Sequence, residues 1–415
     1  MVNIASPAFK ADPYPFYARL RAEAPACRVP LPDGRAAWLV TRYDDVAAAL
    51  KDERLAKDPP NALTPAQLAR QPWMPAFFRP LTRNLLDRDP PDHTRLRALV
   101  SRAFTPRLAE QRRGRVQALT ERLLDRALRR GRFDLVRDYA LPVPATVIAE
   151  LLGVPAADRH RFTRWSKALL LAGASGWGVF LAIPAVWRFL RYTRRLIGQR
   201  RGQPRDDLVS ALAGAEEAGQ RLSEDELVAM VVLLLVAGHE TTVNLIGNGT
   251  LALLRHPDQL ERLRQDPSLL RPAVEELLRF ASPVETATER YARQDVAIAG
   301  VTVRRGELVL AAVASANRDG RQFPTPDRLD VTREPNRHLA FGLGAHFCLG
   351  AALARVEGQV AIGTLLRRAP GLRLAVEPGA LRWRPGLVLR GLRALPVAVA
   401  APGGTARAVP GPSRR

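Results

Sequence analysis

The sequence predicts a mainly α-helical fold with small β-sheets, and three observations carry that prediction. Apolar residues recur at helical spacing through most of the 415 residues. Ser223 and Glu226 form a capping box that opens one long apolar run, unbroken by proline until Pro257. Strand-like stretches are short and lie near the two ends. A chain of this length buries a large core, as one domain or two. With no internal repeat and no linker, residues 1–399 read as one domain. Residues 400–415 have little to bury and read as a disordered tail.

In chain order, Asp12–Ala24 reads as a helix, Ala36–Val40 as a strand and Tyr43–Lys51 as a helix. Helical patterns follow at Asp92–Ala103, Arg107–Arg130, Pro144–Leu152 and Arg161–Leu171. The helix capped by Ser223 runs to Arg255, about 48 Å at ~1.5 Å per residue, enough to cross the molecule. Pro272–Phe280 is another helix. Val296–Ile298 and Val301–Val303, joined by Ala299-Gly300, form a tight hairpin. Ala316–Ala340, rich in Pro, Asp and Asn, is irregular, Leu349–Arg368 is helical, and short strand-like runs finish the fold.

The stretch Ala168–Val186 holds nineteen residues without a charge, the length of a membrane span. Gly173, Gly176, Gly178 and Pro184 interrupt it, and it sits mid-chain among amphipathic helices, so a helix–loop–helix lid over an apolar cavity fits better. No transmembrane segment and no secretory signal are expected. Two cysteines, Cys27 and Cys348, are too few for a disulfide framework and point to a reducing cytoplasm. The net charge of +22 first suggests nucleic acid. Only four of the 63 basic residues are lysines, however, and the arginines are dispersed without interleaved aromatics. An acidic protein partner fits that charge better than a nucleic acid does.

Chemistry concentrates in Phe341-Gly342-Leu343-Gly344-Ala345-His346-Phe347-Cys348-Leu349-Gly350. Three glycines suggest a backbone with positive φ or a close approach. A cysteine at a helix mouth gains from the dipole, which favours its thiolate. A lone cysteine is usually a small buried hydrophobe. A phosphate loop fails because Phe347 stands where the third glycine of G-x-G-x-x-G belongs. A protected thiolate metal ligand fits best, of the kind that in a haem protein favours O–O cleavage.

Three further groupings stand out. In Ala237-Gly238-His239-Glu240-Thr241-Thr242 a glycine, an acid and two alcohols interrupt the long helix. A simple kink would explain them, since threonine can bond back to the i−4 carbonyl. Alternatively, alcohol and carboxylate together hold water for proton delivery. Glu276 and Arg279, at i, i+3 among apolar neighbours, form a partly buried pair rather than a solvated one. His93 and Arg97, at i, i+4, project side by side and in isolation would be a surface pair.

Together these strings resemble the cytochrome P450 family, from Asp12-Pro13 to the terminal strands. The resemblance implies a triangular helical fold, with haem b between the long central helix and the helix after the cysteine loop. It makes Cys348 the iron ligand, and places Gly238, Phe341, Gly342 and Gly350 against the haem. His93, Arg97, Arg290 and His346 then hold the haem propionates, as charge-assisted donors to two carboxylates. Thr241 and Glu240 become the alcohol and acid that deliver protons to dioxygen, the co-substrate. Glu276 and Arg279 gain a third member, Arg333 or else Arg337, in a structural cluster.

The activity implied is monooxygenation of a hydrophobic small molecule such as a fatty acid, terpenoid or macrolide-like compound. With no flavin or ferredoxin module in the chain, an acidic ferredoxin and its reductase would supply electrons to a monomer, docking near Arg102, Arg107, Arg112, Arg113 and Arg115. A peroxide-driven fatty-acid hydroxylase is the alternative, although such relatives replace the acid–alcohol pair. A non-enzymatic haem carrier has no motif in its favour. Substrate would meet Gln71–Leu86, Ala168–Phe189, Met230–Ala237, Pro283–Thr288 and Gly386–Val388, with Arg79 and Arg83 placed for a carboxylate at the entrance.

Overall fold

The computed structural model describes residues 2–69, 81, 84–161, 164–165, 176–217 and 219–399. The expected tail, most of the segment from Gln71 and the start of the apolar stretch lie outside them. Helices dominate: α1 (Asp92–Ala103), α2 (Arg113–Leu128), α3 (Pro142–Leu151), α4 (Gly176–Gly202), α5 (Glu224–Arg255), α6 (Leu270–Phe280) and α7 (Ala351–Arg368). The main core lies where α5 packs on α3 and α7, and α7 on α2. Gly358 makes the α5–α7 crossing tight: a Cβ there would sit 2.8 Å from a Leu245 methyl.

Ser223 and Glu226 close their capping box at the start of α5, each side chain accepting the other's backbone N–H. Among the described residues α5 is the helix long and apolar enough to cross a membrane, and it lies buried in the core. Two expectations need correction. The helical run Arg107–Arg130 is two helices, Pro106–Gln111 and α2, because the Arg112 N–H turns back to Ala109 and Glu110. Gly176, Gly178 and Pro184 do not interrupt the apolar stretch with a loop; they lie inside α4. Burial of Val186, Phe189 and Leu190 further along that helix outweighs their poor propensity.

A five-stranded sheet packs beside the helices, with β1 (Ala26–Pro30), β2 (Ala36–Val40), β3 (Leu55–Ala56), β4 (Arg290–Ala292) and β5 (Leu308–Ala311) in the order β1-β2-β5-β4-β3. Only β2 and β5 run parallel. The hairpin Val296–Ile298/Val301–Val303 turns at Ala299 and Gly300, both at positive φ. Residues 317–343 contain no helix or strand, as their composition predicts.

Candidate functional site

That irregular segment is fixed by a buried ion cluster. Glu276 and Arg279 on α6 are fully buried and pair at 2.7 Å. The carboxylate also accepts from Arg333 Nε at 3.2 Å, Asn336 Nδ2 at 3.1 Å and the Asp330 N–H at 3.0 Å. Arg279 donates onward to the carbonyls of Asn317, Pro326 and Arg328. Arg333 therefore completes the cluster, whereas the Arg337 side chain is exposed and its carbonyl accepts from Tyr43.

The Cys348 loop follows directly. Gly342 and Gly344 take φ of 71° and 73°, which a side chain would strain, whereas Gly350 at −83° needs no such freedom. A Cβ on Gly344 would also press within 3.2 Å of the Leu50 carbonyl, so the loop docks closely on the end of helix Tyr43–Lys51. The loop closes on itself through Cys348 N–H to Phe341 O, 2.9 Å. Helix α7 begins three residues after Cys348, and burial pushes the free thiol up despite the Gly350 N–H and the positive Arg97 and Arg355.

Cys348 borders a cavity of about 450 Å³ between α5 and the start of α7. His93, Arg97, Arg290 and His346 gather in its wall. The His93 and His346 rings lie 4.2 Å apart, and His93 Nε2 is buried without a partner. Burial lowers His93, and burial with the nearby His93, Lys57 and Arg290 holds His346 down at about 3. Burial lowers Arg290 to about 10. Arg97 donates to the Phe347 carbonyl at 2.8 Å. Buried donors without an anion, a partnerless imidazole and a cysteine in one apolar cavity fit haem b, whose two carboxylates need such donors and whose iron needs such a ligand.

The opposite wall is apolar, with Leu85, Met230, Leu233, Val236, Val284 and Val388 among its residues. Each of those six lies in an expected substrate segment; Phe104 and Ile148 also line the cavity and were not expected. Trp73, Met74, Phe77, Arg79 and Arg83, and Leu169–Leu171, lie outside the described residues. Gly238 and Thr241 face the cavity, and Thr241 Oγ1 donates to the Ala237 carbonyl at 3.0 Å, the expected back-bond. Glu240 does not line the cavity. It is buried and ion-paired with Arg384.

Two buried ionisable groups were missed in the sequence, Glu357 in the cavity wall and Lys57 behind it. Glu357 on α7 is buried with both carboxylate oxygens unpartnered across hydrogen-bond distance, and burial raises it to about 8 against a pull from Thr242. A glutamate on an otherwise apolar helix face was its only signal. Lys57, one of four lysines, is buried beside Thr288.

A cysteine loop facing an apolar chamber, with cationic and imidazole donors and an alcohol in its wall, is the arrangement of a haem-thiolate oxygenase. The chain belongs to the cytochrome P450 family, whose family model matches residues 32–369. It is 48% identical to the cytochrome P450 monooxygenase PikC of Streptomyces venezuelae, across 94% of this chain and 91% of that one. It is 44% identical to the 6-deoxyerythronolide B hydroxylase of Saccharopolyspora erythraea, across 95% and 98%. The Bacillus subtilis bacillaene polyketide synthase cytochrome P450 PksS superimposes with a TM-score of 0.90 at 43% identity, covering 97% of this chain and all of the other. The protein is a P450 monooxygenase that uses haem b and dioxygen.

Proposed function

We propose that residues 1–399 act as one cytoplasmic enzyme that hydroxylates or epoxidises a bulky macrolide or polyketide scaffold. The observation that carries this reading is the apolar wall facing Cys348, on which Thr241 and Thr242 are the hydroxyls. Burial of apolar surface, at ~25 cal/mol per Å², is then the main source of affinity. The names of the hydroxylase and PksS relatives above favour a macrolide or polyketide over a fatty acid or terpenoid.

Cys348 is the iron ligand, with Phe341, Gly342 and Gly350 bordering the haem. His93, Arg97, Arg290 and His346 hold its carboxylates by charge-assisted hydrogen bonds. A bound haem would supply dioxygen activation, in which two electrons and two protons let one oxygen atom enter the substrate while the other leaves as water. Thr241, whose own proton is bonded to Ala237, keeps its oxygen lone pairs for a proton donor inside the chamber. Glu240, held as a carboxylate by Arg384 at 34% side-chain exposure, links the notch towards solvent, taking up a proton from that side and passing it on.

Electrons come from an acidic ferredoxin and its reductase, meeting a monomer. The basic face is weaker than its arginine count implies, because Glu110 pairs with Arg113 and Glu150 with Arg115. Arg107 and Arg112 make no ion pair among the described residues and remain for docking. The test incubates the purified protein with NADPH, a ferredoxin, its reductase and a panel of macrolactones, fatty acids and terpenoids. Macrolactone products carrying one added oxygen are expected. Turnover confined to fatty acids and driven by peroxide alone would overturn the reading.

A further inference from the structure

Lys57 lies just past β3, where Leu55 pairs with Ala292 and Ala56 with Tyr291. The same antiparallel register carries Lys57 opposite Arg290. Residues so placed share a face, and like charges there repel. Both are buried, at 5% and 4% exposure. Neither makes an ion pair among the described residues. Lys57 Nζ donates to Thr288 Oγ1 and, at 2.8 Å, to the Glu289 carbonyl, while Arg290 donates to the Thr288 carbonyl at 3.2 Å.

The acids nearby are already engaged. Asp89 accepts the backbone N–H groups of Lys57 at 2.8 Å and Asp58 at 3.1 Å, accepts from Asn61 at 2.8 Å, and pairs with Arg293 at 3.0 Å. Asp87 accepts from Asn84 at 2.7 Å, and Glu289 is held by Arg35 and Tyr291, both at 2.7 Å. An ammonium has three N–H groups, and two are used. Adjacent buried cations without a counter-ion are costly unless an anion joins them. Thr288 and Arg290 line the cavity, and His346 across it feels the Lys57 charge.

We propose that Lys57 is a fifth member of the haem-carboxylate cradle, giving its unused N–H to the carboxylate held beside Arg290. The inference rests on haem occupying the cavity. Without an anion, burial and then Arg290 bring Lys57 down to about 7, offset in part by Asp87, Glu289 and Asp89. A bound carboxylate raises it, so haem binding takes up a proton at neutral pH. The resulting stabilisation is present at low pH and is lost as pH rises through the raised value.

The test follows haem transfer from the holoprotein to excess apomyoglobin between pH 6 and 10. Lys57→Gln keeps donors for Thr288 and Glu289 but removes the charge, and Lys57→Arg keeps the charge without titrating. Lys57→Gln is expected to lose haem about tenfold faster at pH 7, the effect of one charged hydrogen bond. Lys57→Arg should stay near wild type. Wild-type loss should accelerate towards the Lys57→Gln rate as pH rises, while both variants lack that step. Equal rates in Lys57→Gln and wild type would overturn the proposal, as would equally fast loss from both variants. Should Lys57→Gln not fold, a wild-type profile as flat as that of Lys57→Arg overturns it equally. Wild-type protein purified without any haem would instead defeat the haem assignment beneath it.

Discussion

The two walls of the cavity are built from different materials. On the Cys348 side, position is set by polar contacts with few substitutes: an ion cluster buried around Glu276, two positive-φ glycines and a loop closed onto Phe341. On the opposite side, apolar side chains from four separate stretches of chain meet, and none depends on a particular hydrogen-bond partner to do so. A change in the first wall leaves a charge or donor stranded, whereas a change in the second alters volume. Stability and cofactor retention therefore answer to the Cys348 wall, and ligand choice to the apolar one.

The sharpest break falls on Cys348. Cys348→Ser should abolish the strongly red-shifted Soret band of the reduced, carbon monoxide-bound protein, while Cys27→Ser, half-buried and remote in sequence, should keep it. Retention of the band in Cys348→Ser would remove the thiolate from the assignment. Next comes Glu276→Gln. It leaves Arg279, at 0% exposure, facing a neutral partner, and should cost about 3–5 kcal/mol in denaturant unfolding. A loss below ~1 kcal/mol would show that the irregular segment is held by its other contacts.

Glu357 belongs to the same side but works in the opposite sense. Its folded pKa, about 8, lies above that of the unfolded chain, so the native state holds a proton the unfolded state has released. Native stability then falls as pH rises from about 4.5 to about 8, by roughly 1.4 kcal/mol per pH unit. Glu357→Gln should remove that slope and melt higher than wild type at pH 8, with little difference at pH 5. Parallel melting profiles across that range would show that Glu357 has a partner in the holoprotein.

The same contrast explains what could be read in advance. The Cys348 loop, the Glu276–Arg279 spacing and the Ser223–Glu226 box were legible because positive φ, buried charge and open N–H groups each demand particular residues. Elements with clear local signals, such as the amphipathic α1 and the hairpin after β4, kept their expected bounds. Gly176, Gly178 and Pro184 misled because packing further along α4, from Val186 to Ile197, outweighs local propensity. Lys57 and Glu357 were invisible because their significance lies in partners they lack after folding. The break at Arg112 depended on one backbone hydrogen-bond choice.

Thr241→Ala tests the boundary between the walls. It removes one of the few hydroxyls from a mainly apolar surface, and its back-bond to Ala237 is a minor support for α5. Stability and haem content should hold, while peroxide released per NADPH consumed should rise severalfold, since positioned proton transfer typically contributes 10²–10⁴-fold. Unchanged coupling would take Thr241 out of proton delivery.

The smallest effect is expected on the apolar wall itself. Leu233 on α5 lines the chamber and is only partly buried by protein, so its side chain contributes to ligand contact more than to the core. Leu233→Ala removes apolar contact with a bulky ligand, and spectral titration should show its affinity for a macrolactone falling by about tenfold, near 1.4 kcal/mol. Unfolding free energy should drop by less than the ~2–5 kcal/mol typical of a buried Leu→Ala, because the change enlarges an existing cavity instead of opening a new one. A large stability loss with unchanged affinity would reverse the comparison, placing this part of the wall in the core and the ligand elsewhere in the chamber.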